Sequence, residues 1–316
     1  MWFEAANPPA PYRCLAIVSL DPDSPEIRYF PHASISAETP VVDAEGAVYF
    51  VMSEWSRDIW RMDTEGRLEH IFALPDSFVQ GRLIQRVGTH LTLSADGASL
   101  LFDGKVGNVW YVAVLDLATR QFKVIKEFPR HYNHAQCSPV DPDMFCIAQD
   151  HWRDPYTGKQ NGYDHRIWLM TMDGEHFAPA EPSAFHSPSK QGNEVSHEWW
   201  SADGRLCWIR YRDGAFEMDV GANEIRHVWP RPICHAHCDP TRRFWVCDQS
   251  PYFWPKPVEV VAFDRSTQRE IQLVSGMPAP NVNPSLYHAH PHPRFIGDGS
   301  RIVYTTTVQG KLDMAI

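Results

Sequence analysis

The chain has 316 residues, enough for one large buried core or two modest domains. Its 43% apolar and 12% aromatic content exclude disorder, and no apolar run approaches the ~20 residues needed to span a bilayer. A net charge of −10 argues against nucleic acid or an anionic membrane as partners, because both select basic surface; an acidic ligand could still be held by local arginines and a metal. Seven cysteines, an odd number, do not suggest a disulfide scaffold. The opening Met1-Trp2-Phe3-Glu4-Ala5-Ala6 lacks a basic stretch followed by a long apolar one, so a cytoplasmic location is expected. Oligomeric state is not legible.

Helical periodicity is scarce, and 26 prolines and 18 glycines punctuate the chain. Short β-rich runs dominate instead: Leu15-Ala16-Ile17-Val18, Ile27-Arg28-Tyr29-Phe30, Val48-Tyr49-Phe50-Val51, Leu100-Leu101-Phe102, Val109-Trp110-Tyr111-Val112, Leu206-Cys207-Trp208-Ile209 and Ile302-Val303-Tyr304. A turn recurs between them, as Asp43-Ala44-Glu45-Gly46, Ser94-Ala95-Asp96-Gly97, Ser138-Pro139-Val140-Asp141, Ser201-Ala202-Asp203-Gly204, Asp239-Pro240-Thr241-Arg242 and Ile296-Gly297-Asp298-Gly299. Each is followed by a strand and usually by a second segment with its own turn, such as Asp116-Leu117-Ala118-Thr119. Four antiparallel strands per repeat predict an all-β chain folded as a β-propeller. Six inner strands are countable in a single domain covering 1–316, with the N-terminal strands expected to close the ring with the C-terminal unit.

Four residues before the turn stand His90, His134, His197, His235 and His292, with Thr39 in the sixth copy. Equivalent positions in successive repeats occupy equivalent places, so these histidines are expected to ring a central channel. Channel-lining histidines can also do no more than bind water. His290-Pro291-His292 places two imidazoles on one face of an extended strand, with His288 extending the series. With His235 and His237 from the preceding unit they make a candidate site for a divalent metal, neutral imidazole being its commonest ligand; alternatively, Pro291 and Pro293 impose a loop. Cys234, Cys238 and Cys247 with a histidine could instead close a zinc site, or could be small buried strand residues.

The stretch His131-Tyr132-Asn133-His134-Ala135-Gln136 and the later Asp150-His151-Trp152-Arg153 combine aromatic faces with directed hydrogen-bonding groups, which suits a sugar. Asn133, Gln136 and Trp152, with His90, Trp199 and Tyr211, are the candidate substrate contacts. Asp150 and His151 could equally be a surface pair. Glu194-Val195-Ser196-His197-Glu198-Trp199-Trp200 and Arg210-Tyr211-Arg212 bring a base and cations together, so His197, His134, His151, Arg210 and Arg212 are the candidate catalytic residues. Arg210 and Arg212 should share a strand face and grip a carboxylate, or pair with Asp203 or Asp213.

His134-Ala135-Gln136-Cys137-Ser138-Pro139, Arg166-Ile167-Trp168, Ser196-His197-Glu198-Trp199-Trp200 and His290-Pro291-His292-Pro293 together resemble the oligogalacturonate lyases over residues 40–316. More distantly, the pairing of His134 with His151 resembles the propeller ulvan lyases. The first resemblance implies seven blades and β-elimination on a uronate oligosaccharide, with His197 as the base. It also implies a divalent metal, usually manganese, at His235, His290 and His292; Tyr287 stands where the family has a glutamine ligand. Two other readings are a non-catalytic sugar-binding or scaffolding propeller and a metal-dependent hydrolase acting through bound water.

Overall fold

The computed structural model describes residues 1–5, 14–21, 23–24, 26–35, 40–53, 56–181, 195–249, 258–278 and 290–316. The chain divides into two compact units, Met1–Phe185 and His186–Ile316. Among the described residues no helix is long and apolar enough to cross a membrane.

In the first unit, β1 (Trp2–Ala5), β2 (Cys14–Val18) and β3 (Ile27–Phe30) form a three-stranded antiparallel sheet. A four-stranded meander follows: β4 (Val41–Val42), β5 (Val48–Phe50), β6 (Asp58–Met62) and β7 (Leu68–Ala73). After the single-turn helix α1 (Asp76–Val79) comes another, made of β8 (Ile84–Leu93), β9 (Ser99–Val106), β10 (Val109–Asp116) and β11 (Phe122–Phe128). The next sheet begins with β12 (Tyr132–Cys137) and β13 (Met144–Gln149), continues after the small hairpin of β14 (Trp152–Arg153) and β15 (Gln160–Asn161), and ends with β16 (Ile167–Thr171) and β17 (Phe177–Pro179).

The second unit repeats the scheme. One meander is β18 (Val195–Trp200), β19 (Leu206–Arg210), β20 (Gly214–Asp219) and β21 (Glu224–Trp229). The next is β22 (His235–Cys238), β23 (Phe244–Gln249), β24 (Val258–Asp264) and β25 (Arg269–Met277). Three strands end the chain: β26 (Arg294–Ile296), β27 (Arg301–Thr306) and β28 (Asp313–Ala315). The fold class is the expected one, all-β with four-stranded antiparallel blades, and the six strands that precede the recurring turn are β4, β8, β12, β18, β22 and β26.

The turn works by the same chemistry in separate blades. Ser94 Oγ donates to Asp96 at 2.6 Å and accepts the Ser99 N–H at 3.0 Å; Ser201 repeats this with Asp203 and the Arg205 N–H at the same distances. The fourth position takes positive φ in Gly97 and Gly204, and in Arg242 at +56°, a conformation in which most side chains are strained.

Within each unit, successive sheets stack face to face. On β9, Leu100 and Phe102 pack toward the preceding meander while Leu101 joins the core of the following one, and all three are fully buried. A strand covered on both faces reads in sequence as a continuous apolar run rather than an alternation. In the second unit, Ile209, Trp229, Trp245 and Phe263 form the corresponding core between the β18–β21 and β22–β25 sheets. Burying each such side chain stabilises the fold by roughly 1.5–3 kcal/mol.

Candidate active site

In the second unit the repeat histidines come together. The ring centroids of His197 and His235 are 4.0 Å apart, those of His235 and His292 4.3 Å, and those of His197 and His292 5.6 Å. One nitrogen from each of the three lies within 4.8 Å of the others. His290 reaches His235 from another side, with centroids 5.0 Å apart, and its Nδ1 lies 3.4 Å from Cys234 Sγ; Cys234, His235 and His290 form a second group within 4.8 Å. His235 is common to both.

The backbone explains why. His197 and His292 take positive φ, +50° and +44°, as does His134 at +55° in the first unit. On β12 and β18 this accompanies a bulge, with register shifts between Asn133 and Gln136 and between Ser196 and Trp199. A non-glycine residue in this region carries a cost of about 1–3 kcal/mol, which marks positions held by their surroundings. A bulge re-aims one side chain and shifts the alternation beyond it. Trp199, expected at the substrate, is accordingly in the core against Trp245, centroid to centroid 5.7 Å.

Asp248, on β23 and wholly buried, supports the cluster. Its carboxylate accepts the His235 N–H at 2.8 Å, the His235 Nδ1 proton at 2.9 Å and the His292 N–H at 2.8 Å. Burial pushes its carboxyl above the usual range, while these N–H groups favour the anion. A carboxylate behind a histidine fixes the tautomer and orients the ring, as in metal sites. Three imidazoles in one group and a thiol with two imidazoles in the other, sharing a histidine backed by a buried carboxylate, fit a divalent transition metal and leave further coordination positions for water or substrate.

Other expectations resolve differently. His237 lies outside both groups: its Nδ1 accepts the Phe295 N–H at 3.3 Å, its ring stacks on Trp199, and burial brings its pKa down to about 3. The trio Cys234, Cys238 and Cys247 is not gathered. Strand alternation turns Cys238 and Cys247 into the core with Ala236 and Trp245, away from His235, so only Cys234 joins a histidine group. Arg210 and Arg212 do not share a strand face, because β19 ends at Arg210 and Tyr211 to Asp213 form a turn. Arg210 sits 4.5 Å over the Phe216 ring, Arg212 is exposed, and Asp203 pairs with Arg242 instead. Tyr211 meets His197 edge-on at 6.2 Å. Thr39, Glu194, Tyr287 and His288 lie outside the described residues.

The first unit holds its own cluster. His90 and His134 pack with centroids 4.6 Å apart, and His134 Nδ1 accepts from Arg166 at 3.2 Å. Arg166, 6% exposed, pairs with Asp150 at 3.0 Å. Burial works to raise the Asp150 carboxyl, but the Arg166 charge and the His151 N–H outweigh it and bring the pKa down to about 2. Asn133 donates to Asp150 at 3.5 Å, the exposed His151 ring lies 3.5 Å from the same carboxylate, Trp152 stands beside Arg130, and Gln136 is half-buried on β12. Buried Asp103 on β9 mirrors Asp248, accepting the Thr89 N–H at 2.9 Å and the Ala135 N–H at 2.8 Å. Sequence reading passed over Asp248, Asp103 and Arg166 as site residues. The available signal was an aspartate at the fifth position of a second blade strand in two repeats.

Two solved structures share this β-propeller fold closely. One, an oligogalacturonate lyase in complex with manganese, has a TM-score of 0.74 and 16% identity, the likeness covering 96% of this chain and 81% of that one. The other, an oligogalacturonate lyase from Vibrio parahaemolyticus, has a TM-score of 0.76 and 15% identity over 96% and 82% of the two chains. TolB from Acinetobacter baumannii is more distant, with a TM-score of 0.52 and 17% identity over 87% and 64%. No protein-family model and no curated protein matches the chain. At these identities the likeness establishes the fold, and function has to be argued from the site.

Proposed function

We propose that this chain is a lyase that cleaves a uronate-containing oligosaccharide by β-elimination. The observation that carries the reading is the convergence of His197, His235 and His292, with Asp248 behind them, on the fold of oligogalacturonate lyases. His235, flanked by His290 and His292, would hold a divalent metal, manganese by analogy with the manganese-bound neighbour. When bound, the metal supplies positive charge to neutralise the uronate carboxylate. His197 takes the C5 proton; the electron pair left behind forms the C4–C5 double bond, and the glycosidic oxygen leaves C4 and is protonated by water to the free hydroxyl. Charge neutralisation is essential, since a positioned base alone contributes only ~10²–10⁴-fold.

The product distinguishes the classes. Incubation with a panel of uronate oligosaccharides should generate a 4,5-unsaturated uronate with new ultraviolet absorbance. Saturated ends would indicate a hydrolase, and binding without product a sugar-binding propeller.

A further inference from the structure

We propose that the first unit carries a subsite for an acidic sugar ring, in a cleft where Lys105 and Arg153 receive the carboxylate beside Trp110 and Trp152. The choice of a uronate as ligand rests on the lyase reading; the cleft itself is argued from its own residues. Its volume of ≈ 160 Å³ is below the roughly 300–1,000 Å³ of drug-sized sites, which suits one ring.

Lys105 and Trp110 are cross-strand partners on the β9–β10 hairpin, with the ammonium 5.2 Å from the indole centroid. His131 also stacks on Trp110, at 3.8 Å and 23°. His131 Nδ1 donates to the His151 carbonyl at 3.0 Å, while its buried Nε2 has no hydrogen-bond partner among the described residues.

The charges are unusual for so acidic a chain. No Asp or Glu lines the cleft, and neither Lys105 nor Arg153 has a carboxylate ion-pair partner among the described residues. Burial lowers the Lys105 pKa, so its cation is partly desolvated with no counter-charge. Arg153 Nε donates to the Gly158 carbonyl at 3.1 Å, which steadies the side chain across its loop. Neighbouring Asp154 is occupied, accepting the Tyr156 and Thr157 N–H groups at 2.8 and 3.0 Å. An anionic ligand would supply the missing counter-charge, and the planar guanidinium suits a carboxylate. The Trp152 indole offers surface for the apolar face of the ring, since Trp110 is already covered by His131 and Lys105. A neutral sugar would leave the partly desolvated Lys105 uncompensated.

The test is calorimetric titration with saturated trigalacturonate and with its fully methyl-esterified form, using the His197→Ala protein to prevent turnover. Adding Lys105→Gln or Arg153→Gln should weaken binding of the acid by about tenfold each, with little effect on the ester, which should bind more weakly from the outset. Equal affinity for the acid in all three proteins, an ester that binds as tightly as the acid, or no saturable binding would overturn the proposal. Product formation by the unsubstituted protein is read separately. Acid binding that depends on Lys105 without unsaturated product would retain the subsite and remove the lyase reading; product with affinity unaltered by either substitution would do the reverse.

Discussion

His235 Nδ1 lies 2.9 Å from the Asp248 carboxylate, and the two side chains are 2% and 0% exposed. Their strands are paired so that the two residues stand directly opposite one another. The contact fixes the imidazole ring and its tautomer. Asp248→Asn should therefore lower divalent-metal affinity by roughly 10–100-fold while leaving the strands paired. Metal titration by calorimetry, beside a circular dichroism spectrum, checks this; unchanged affinity would limit Asp248 to holding the backbone.

His197→Ala should reduce turnover at least ~10²-fold while metal content and folding survive. The close grouping of His197 with His235 and His292 makes metal content the deciding measurement. Loss of the metal would make His197 a ligand and leave the base to be found elsewhere.

Treatment with a chelator should abolish product formation, and a divalent transition metal should restore it. Full activity in chelator, with no metal by elemental analysis, would transfer carboxylate neutralisation to an arginine. Arg210, half-buried at the end of β19, is then better placed than the exposed Arg212.

His134 and His151 should serve the substrate rather than the metal. Arg166 donates to His134 Nδ1, the ring packs on His90 outside both metal-type groups, and His151 is open to solvent. Alanine at either position should impair KM or kcat with metal content unchanged. Normal kinetics for both variants would reduce them to structural residues.

Asp150 should influence stability in acid. Its folded pKa of about 2 is below the unfolded value of ~3.9, so its contribution is present above that value and is lost as pH falls toward the folded pKa. Asp150→Asn should lower the urea midpoint at pH 7, and the gap should close between pH ~4 and ~2. A gap independent of pH would mean that the charge on Asp150 is not the source.

The blades and the histidine register were legible because turn chemistry is local: Ser94 and Ser201 each organise their own turn through an aspartate two residues on. Asp248 and Asp103 were not, because a lone acid inside an apolar strand has no neighbouring motif to give it away, and its partners are brought to it only by strand pairing. Trp199 was misread since the bulge at His197 changes which residues face inward, and nothing in Ser196-His197-Glu198 announces a bulge. Arg210 and Arg212 were misread as strand neighbours because the turn at Tyr211 lacks proline and has its glycine, Gly214, only beyond it. That glycine, at φ +124°, lets the chain pass so close to the Trp229 carbonyl that a Cβ would lie 1.9 Å from its oxygen.

The left-handed backbone at His134, His197 and His292 has an evolutionary consequence. A blade with no chemistry to perform would gain by placing glycine there, since glycine enters this conformation without the steric penalty. Under the lyase reading, each imidazole is then a trade of robustness for reactivity, made at a position where glycine would give the more stable scaffold. Should such a chain lose its substrate over generations, these three positions are where drift would first be rewarded.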